Sequence, residues 1–493
     1  MLALMRYTLG SPRLDGMELH EYTRLDGVAI AGLIRAGEVS AAEVERVARV
    51  AVEAAHRRVN GLAGPLFEAA LRYEPGGIFG GVPFLVKDVP MAAGVPFGVG
   101  SRAVPDFVVA ERDAPIMERF RRAGLATLGR TTMPELGLSF ATEPRRHGPA
   151  RNPYDRERGA GGSSGGAAAL VAAGAVPIAH ANDGAGSIRV PASCCGLVGL
   201  KPSAGRLPGP PFLGEFAVTR SVRDTAALFE AVFGLPALGR STDRNWGLAG
   251  RSTDRISGLA GRSTDRDPGL AGRSTDRILR VGITTAAWSG VPVEPEVVAA
   301  TERAGHLLER LGHAVELAAP ELDWDDVRAG LRGELVANVA PLLAAPRPVD
   351  PGRLEAVSRA VIAEVRAMTA LDLAGATAAG ERAARGVWAF FAGYDLLVTP
   401  TLARLPAPHG TLDYDDPRYT VAGWLDAMLA FGPFTTLFNL AGLPAVSLPL
   451  GRSTSGLPIG VQLVAPHGRE DRLLALAAAL EDDFADLISR ELH

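Results

Sequence analysis

The sequence predicts an α/β protein whose central sheet is covered by helices on both faces. Two observations carry this. Strand-length apolar runs alternate with stretches of helical period, and the residue mix, 47% hydrophobic and 22% charged, is that of a chain able to bury a core.

Taken in order, residues 1–16 show no periodic pattern and are expected to be a non-native or disordered extension, with Met17 as the true start. Val28 to Ile34 and Ala41 to Val59 carry helical periodicity, and Ser40 stands where a cap for the second helix belongs. The apolar run Val82 to Val86 ends at Lys87 and reads as a buried strand. Further strand candidates are Ala126 to Leu128, Val176 to Ala179, Arg280 to Thr284, Leu396 to Thr399, Ala445 to Leu448 and Gly460 to Val464. A helix is expected around Thr225 to Phe233. Behind it, four copies of Gly-Arg-Ser-Thr-Asp-Arg start at Gly239, Gly250, Gly261 and Gly272, a strict 11-residue period. These units have too little apolar surface to bury a core, so residues 239–277 are expected to form a disordered insertion within one domain spanning 17–493. Such an insertion is tolerable, because loop-closure entropy rises only about 0.6 kcal/mol per doubling of length.

Composition excludes several functions. A net charge of −4 disfavours nucleic-acid binding driven by phosphate neutralisation. The uncharged stretch Gly432 to Gly451 is broken by Pro433, Pro444 and Pro449, so no membrane span is expected. Arg6 and Arg13 interrupt any secretory apolar core at the start. The two cysteines, Cys194 and Cys195, are adjacent and give neither a disulfide framework nor a zinc spacing. A cytoplasmic protein without metal or cofactor is the expectation; a homodimer is compatible with it.

One skew is informative. Of 51 basic residues only Lys87 and Lys201 are lysine. Arginine supplies charge and ion pairs as well as lysine does, but not a deprotonatable amine. Each surviving lysine is therefore a candidate for proton chemistry. Neither belongs to a phosphate-binding Gly-Lys-Ser/Thr loop, since Val86 and Leu200 precede them.

The remaining candidates concentrate between Gly159 and Gly205. Two serine-bearing glycine loops, Gly161 to Gly166 and Gly184 to Ser187, flank a helix and a strand. Glycine-rich backbone permits close approach of a substrate and exposes consecutive N–H groups, as oxyanion stabilisation requires. Two tight turns of an α/β domain are the plainer alternative. Gly162-Ser163-Ser164-Gly165-Gly166 formally matches a nucleophile elbow centred on Ser164, but that motif needs a preceding strand and RNPYDRER is polar. A Ser-His-Asp arrangement through His180 competes with a satisfied core histidine, which is favoured. The third reading joins the loops to Lys87: a lysine ending an apolar strand is desolvated, so its neutral form is favoured and can activate a serine. Asp88 follows it but should point to the opposite face of the strand.

The order GVPFLVKD, GGSSGG, then D-x-x-G-S-I-R-x-P with Ser187 placed 24 residues after Ser163, then CGLVGLKPS, resembles the amidase signature family. RNPY before the glycine loop and FNLAGLPAVSLPLG with GLPIGVQLVAPHGRED near the C-terminus match as well. The resemblance implies the amidase signature fold and an amidase acting on carbon–nitrogen bonds of a small-molecule amide. Ser187 would be the nucleophile that carries the acyl group, Ser163, following a cis peptide, the bridging serine, and Lys87 the base. Backbone N–H groups of Gly184, Ala185, Gly186 and Ser187 would form the oxyanion hole. Ser164, Asp183 and Arg189 would support the loop, Lys201 would be structural, and Gly137, Leu138 and Ser139 would line the acyl pocket. Asn182-Asp183-Gly184-Ala185-Gly186-Ser187 departs from the commoner T-D-T-G-G-S. With CCGLVGLKPS and GPLFEAA it resembles the branch containing 6-aminohexanoate-cyclic-dimer hydrolase, hence small aliphatic amides or lactams. The alternatives are the glutamine-hydrolysing A subunit of a tRNA-dependent amidotransferase, and a catalytically silent binding protein of the same fold. Substrate choice is expected to lie in the motif-poor region from Val281 to Asp426.

Overall fold

A computed structural model describes residues 17–235, 277–343 and 349–489. The proposed extension at 1–16 and the expected insertion at 239–277 lie outside the described residues, apart from Arg277.

Ten strands form one sheet: β1 (Val82–Lys87), β2 (Leu125–Thr131), β3 (Ile178–Asp183), β4 (Val198–Lys201), β5 (Gly214–Thr219), β6 (Arg280–Ile283), β7 (Ala314–Leu317), β8 (Leu396–Pro400), β9 (Ala445–Arg452) and β10 (Pro458–Val464). Their spatial order is β2-β1-β3-β5-β4-β9-β10-β8-β6-β7. Parallel pairs at the two ends (β2 with β1, β1 with β3, β8 with β6, β6 with β7) enclose an antiparallel middle, so the sheet is mixed. Every residue of β1 and of β10 is buried. Because successive side chains point to opposite faces, unbroken burial means that both faces are covered.

All seven strand candidates fall on strands, although β3 begins at Ile178, two residues into the candidate Val176 to Ala179. The helix at Ala41–Val59 has the expected bounds, and Ser40 and Glu43 close a reciprocal capping box at its start. The helix expected at Val28 to Ile34 runs Gly27–Ala36, and that around Thr225 to Phe233 runs Val222–Phe233. Three strands, β4, β5 and β7, have no counterpart among the sequence candidates. β4 has four residues and starts three residues past a helix, and β7 is an edge strand of Ala-Val-Glu-Leu with mostly exposed side chains, so neither carries an apolar signal. β5 opens with Gly214 and Glu215, which hide its buried remainder Phe216 to Thr219.

Candidate active site

The site lies where β1 and β3 run side by side and in parallel, Phe84 opposite Ile178 and Leu85 opposite Ala179. This register brings Lys87, the last residue of β1, next to the carboxyl end of β3 and the loop beyond it. Lys87 Nζ lies 2.6 Å from Ser163 Oγ and 2.6 Å from Asn182 Oδ1. Burial drives its pKa down from 10.5 to about 7, with the charges of Glu215 and Asp183 pulling the other way. Asp88 does not hold it as a cation. That carboxylate faces away, pairing with Arg130 at 2.5 Å and accepting from Gly98 N–H and Gly100 N–H.

Ser163 sits in the first glycine loop after a cis Gly162–Ser163 peptide. A side chain on Gly162 would run into the main chain of Ser139 to Ala141, and one on Gly137 would come within 3.6 Å of Ser163 Oγ. Gly162 therefore permits the close backbone approach at the serine, whereas a Cβ on Gly137 would meet Ser163 only at ordinary contact distance. Leu138 is fixed from behind by Trp424, whose Nε1 donates to Leu138 O at 2.8 Å. Ser139 Oγ accepts from Ala141 N–H. Ser164 Oγ donates to Asn182 O at 3.4 Å, tying this loop to β3.

Ser187 closes the second loop, just ahead of the helix Arg189–Cys195, and is 6% exposed. Its hydroxyl makes no hydrogen bond to another described residue, and the four backbone N–H groups of Gly184, Ala185, Gly186 and Ser187 make none either. The loop is instead held through its carbonyls and flanks. Ala185 O accepts from Thr435 Oγ1 at 2.7 Å and Thr436 Oγ1 at 3.1 Å. Gly186 has φ 145°, and a side chain there would collide with Thr435. Ala185 is not in the left-handed region, so its Cβ fits where the commoner motif has glycine.

Below the loop Asp183 and Arg189, both fully buried, form a bidentate pair, with Nε to Oδ2 and Nη2 to Oδ1 each at 2.9 Å. Burial alone would raise the Asp183 pKa. The Arg189 charge and its hydrogen bonds overcome this and hold the carboxyl at about 2. Asp183 Oδ2 also accepts from Ile188 N–H, and Arg189 reaches Thr435 O, Gln462 Oε1 and Asn439 Oδ1. Arg189→Met is expected to lower unfolding stability by about 3–5 kcal/mol, because Asp183 is left buried without its counter-charge. Denaturant melts check this; a loss under about 1 kcal/mol would show that the loop does not depend on the pair.

Lys201 bonds to neither serine, its Nζ donating to Pro202 O at 2.9 Å, although burial lowers its pKa to about 7 as well. His180 is a satisfied core residue, bonded to Glu215 and to the β1 backbone. No strand precedes Gly162, so no elbow forms around Ser164. Asn182, Glu215, Thr435, Thr436, Asn439 and Gln462 were absent from the sequence candidates. Asn439 lies in the motif FNLAGLP and Gln462 in GVQLV, so a polar residue inside an apolar buried motif was the available signal. Among the described residues no group of three or more His, Cys, Asp or Glu side chains is placed to hold a metal ion, and no helix is long and apolar enough to cross a membrane.

Residues 41–474 match the family model described as Amidase. The chain is 36% identical to 6-aminohexanoate-cyclic-dimer hydrolase of Paenarthrobacter ureafaciens, over 92% of this chain and 94% of that one. It is likewise 36% identical to the putative amidase AmiC of Mycobacterium bovis, over 93% and 94%. Its fold superposes on the solved structure of 6-aminohexanoate cyclic dimer hydrolase complexed with substrate, with a TM-score of 0.81, 33% identity and coverage of 95% and 99%. With the ten-stranded mixed sheet and the paired glycine-serine loops, these matches show that the chain belongs to the amidase signature family and is a hydrolase acting on amide bonds.

Proposed function

We propose that the protein hydrolyses small, largely aliphatic amides or lactams through a Ser187–Ser163–Lys87 relay. The contact that carries this reading is the 2.6 Å approach of Lys87 Nζ to Ser163 Oγ at a site where burial favours the free amine near neutral pH. Neutral Lys87 takes the Ser163 proton as Ser163 takes that of Ser187, and Ser187 Oγ attacks the amide carbonyl. The unbonded N–H groups of residues 184–187 receive the oxyanion. When the carbon–nitrogen bond breaks, the proton returns through Ser163 to the leaving amine. Water, deprotonated by the same relay, then cleaves the acyl ester and releases the acid.

The acyl part of the substrate is assigned to the wall at Gly137, Leu138 and Ser139. Trp424 anchors that wall from the region expected to set substrate choice. The preference for small amides and lactams rests on the named relatives. A reducing, cytoplasmic setting suits two free, buried cysteines.

The test is mass spectrometry of protein quenched during turnover of a slow anilide. An acyl adduct on the peptide containing Ser187, missing in Ser187→Ala, is the expected result. An adduct on any other residue would overturn the assignment.

A further inference from the structure

The environment of Lys87 contains a second layer that the relay does not use. Lys87 N–H donates to His180 Nδ1 at 3.3 Å, so that ring nitrogen is unprotonated and Nε2 carries the hydrogen. His180 Nε2 accordingly donates to Glu215 Oε2 at 2.7 Å. The other oxygen, Glu215 Oε1, accepts from Asn182 Nδ2 at 3.3 Å. A carboxylate can only accept, so it fixes the amide with its nitrogen toward Glu215 and its oxygen toward Lys87. That oxygen also can only accept, and it lies 2.6 Å from Nζ.

We propose that Glu215 and Asn182 are positioning residues that aim the Lys87 lone pair at Ser163. A neutral amine has two N–H donors and one lone pair. Asn182 Oδ1 takes one donor, which cuts the orientations the head group can present to Ser163 from three to two, one of which turns the lone pair to the Ser163 hydroxyl whose proton it must accept. Glu215 acts twice: through Asn182 on the amine, and through His180 on the backbone of the strand that carries it. A head group free to rotate would present an N–H to Ser163 part of the time and stall the transfer.

Glu215 also acts by charge. The other carboxylates around Lys87 are spoken for: Asp183 by Arg189, and Asp88 by Arg130 on the far side of the strand. Among the described residues the Glu215 side chain bonds to His180 and Asn182 and to no arginine, and its charge favours the Lys87 ammonium.

This inference rests on Lys87 being the base, and two variants test it by moving the acid limb of the kcat/KM profile in opposite directions. Glu215→Gln removes a negative charge, and its amide cannot accept from both His180 and Asn182. It should lower kcat about 10–100-fold with KM little changed, and move the limb down by roughly one pH unit. Asn182→Asp is nearly isosteric but places a carboxylate against Nζ. It should move the limb up by roughly one unit or more. Thermal melts confirm that each variant is folded, and Asn182→Asp keeps the test open if Glu215→Gln is not. Unmoved limbs in folded variants, with Lys87→Ala inactive, would overturn the positioning role. Wild-type turnover in Lys87→Ala would instead overturn the underlying base assignment.

Discussion

Replacing Ser187 with alanine is expected to lower amide hydrolysis on the order of 10⁴-fold or more while leaving the protein folded. The size follows from the proposed role: without Oγ the relay has no acyl acceptor, and backbone donors alone could not form a covalent intermediate. The preserved fold follows from geometry. The Ser187 hydroxyl holds no other described residue, and the loop around it is anchored by Thr435, Thr436 and the Asp183–Arg189 pair. Unfolding stability should therefore stay within about 0.5 kcal/mol of wild type. Steady-state rates on a linear amide and a lactam, read beside a denaturant melt, provide the check. A variant retaining a tenth of wild-type turnover would remove Ser187 from the chemistry.

Lys87→Arg is expected to cost at least about 10³-fold, although it retains positive charge at the same place. Guanidinium stays protonated at every working pH and cannot accept the Ser163 proton. Because arginine is bulkier than the buried site it would enter, Lys87→Met should be measured alongside; it keeps the packing and loses the amine. The wild-type profile has a defined sign. The Lys87 cation is lowered to about 7, so the free base predominates above that pH, and kcat/KM should rise through pH 7 and level off. The same shift bears on folding. Between about pH 7 and 10.5 the unfolded chain holds a proton on this lysine that the folded chain has released, so stability should increase with pH across that window. In Lys87→Met that contribution to the slope should vanish. A flat rate profile between pH 6 and 8 would mean that lysine deprotonation does not govern activity.

The serines and the lysine were legible because their signals are local. A rare lysine ends an apolar run, and each of the two serines, 24 residues apart, stands among glycines. The residues that hold them were not, because each contributes through a partner remote in sequence. Glu215 meets Asn182 and His180 only because β5 lies antiparallel to β3, and β5 itself begins with a glycine and a charge where an apolar alternation would have announced it. Thr435, Asn439 and Gln462 meet Arg189 across some 250 residues. The strands that escaped notice are the shortest, the most exposed or the most polar at their start, where hydrophobic periodicity has least to work on.

The grip on Arg189 also makes the second glycine-serine loop depend on residues that follow it by some 250 positions. Lys87, Ser163 and Ser187 lie within the first 187 residues, yet the floor of the second glycine-serine loop is supplied by Thr435, Asn439 and Gln462, and β4 pairs with β9 through residues 445–447. A chain ending before residue 435 would carry Lys87, Ser163 and Ser187 without the contacts that hold Arg189 and β4. Removing residues 435–464 should therefore disarm a site whose proposed reactive side chains lie more than two hundred residues upstream.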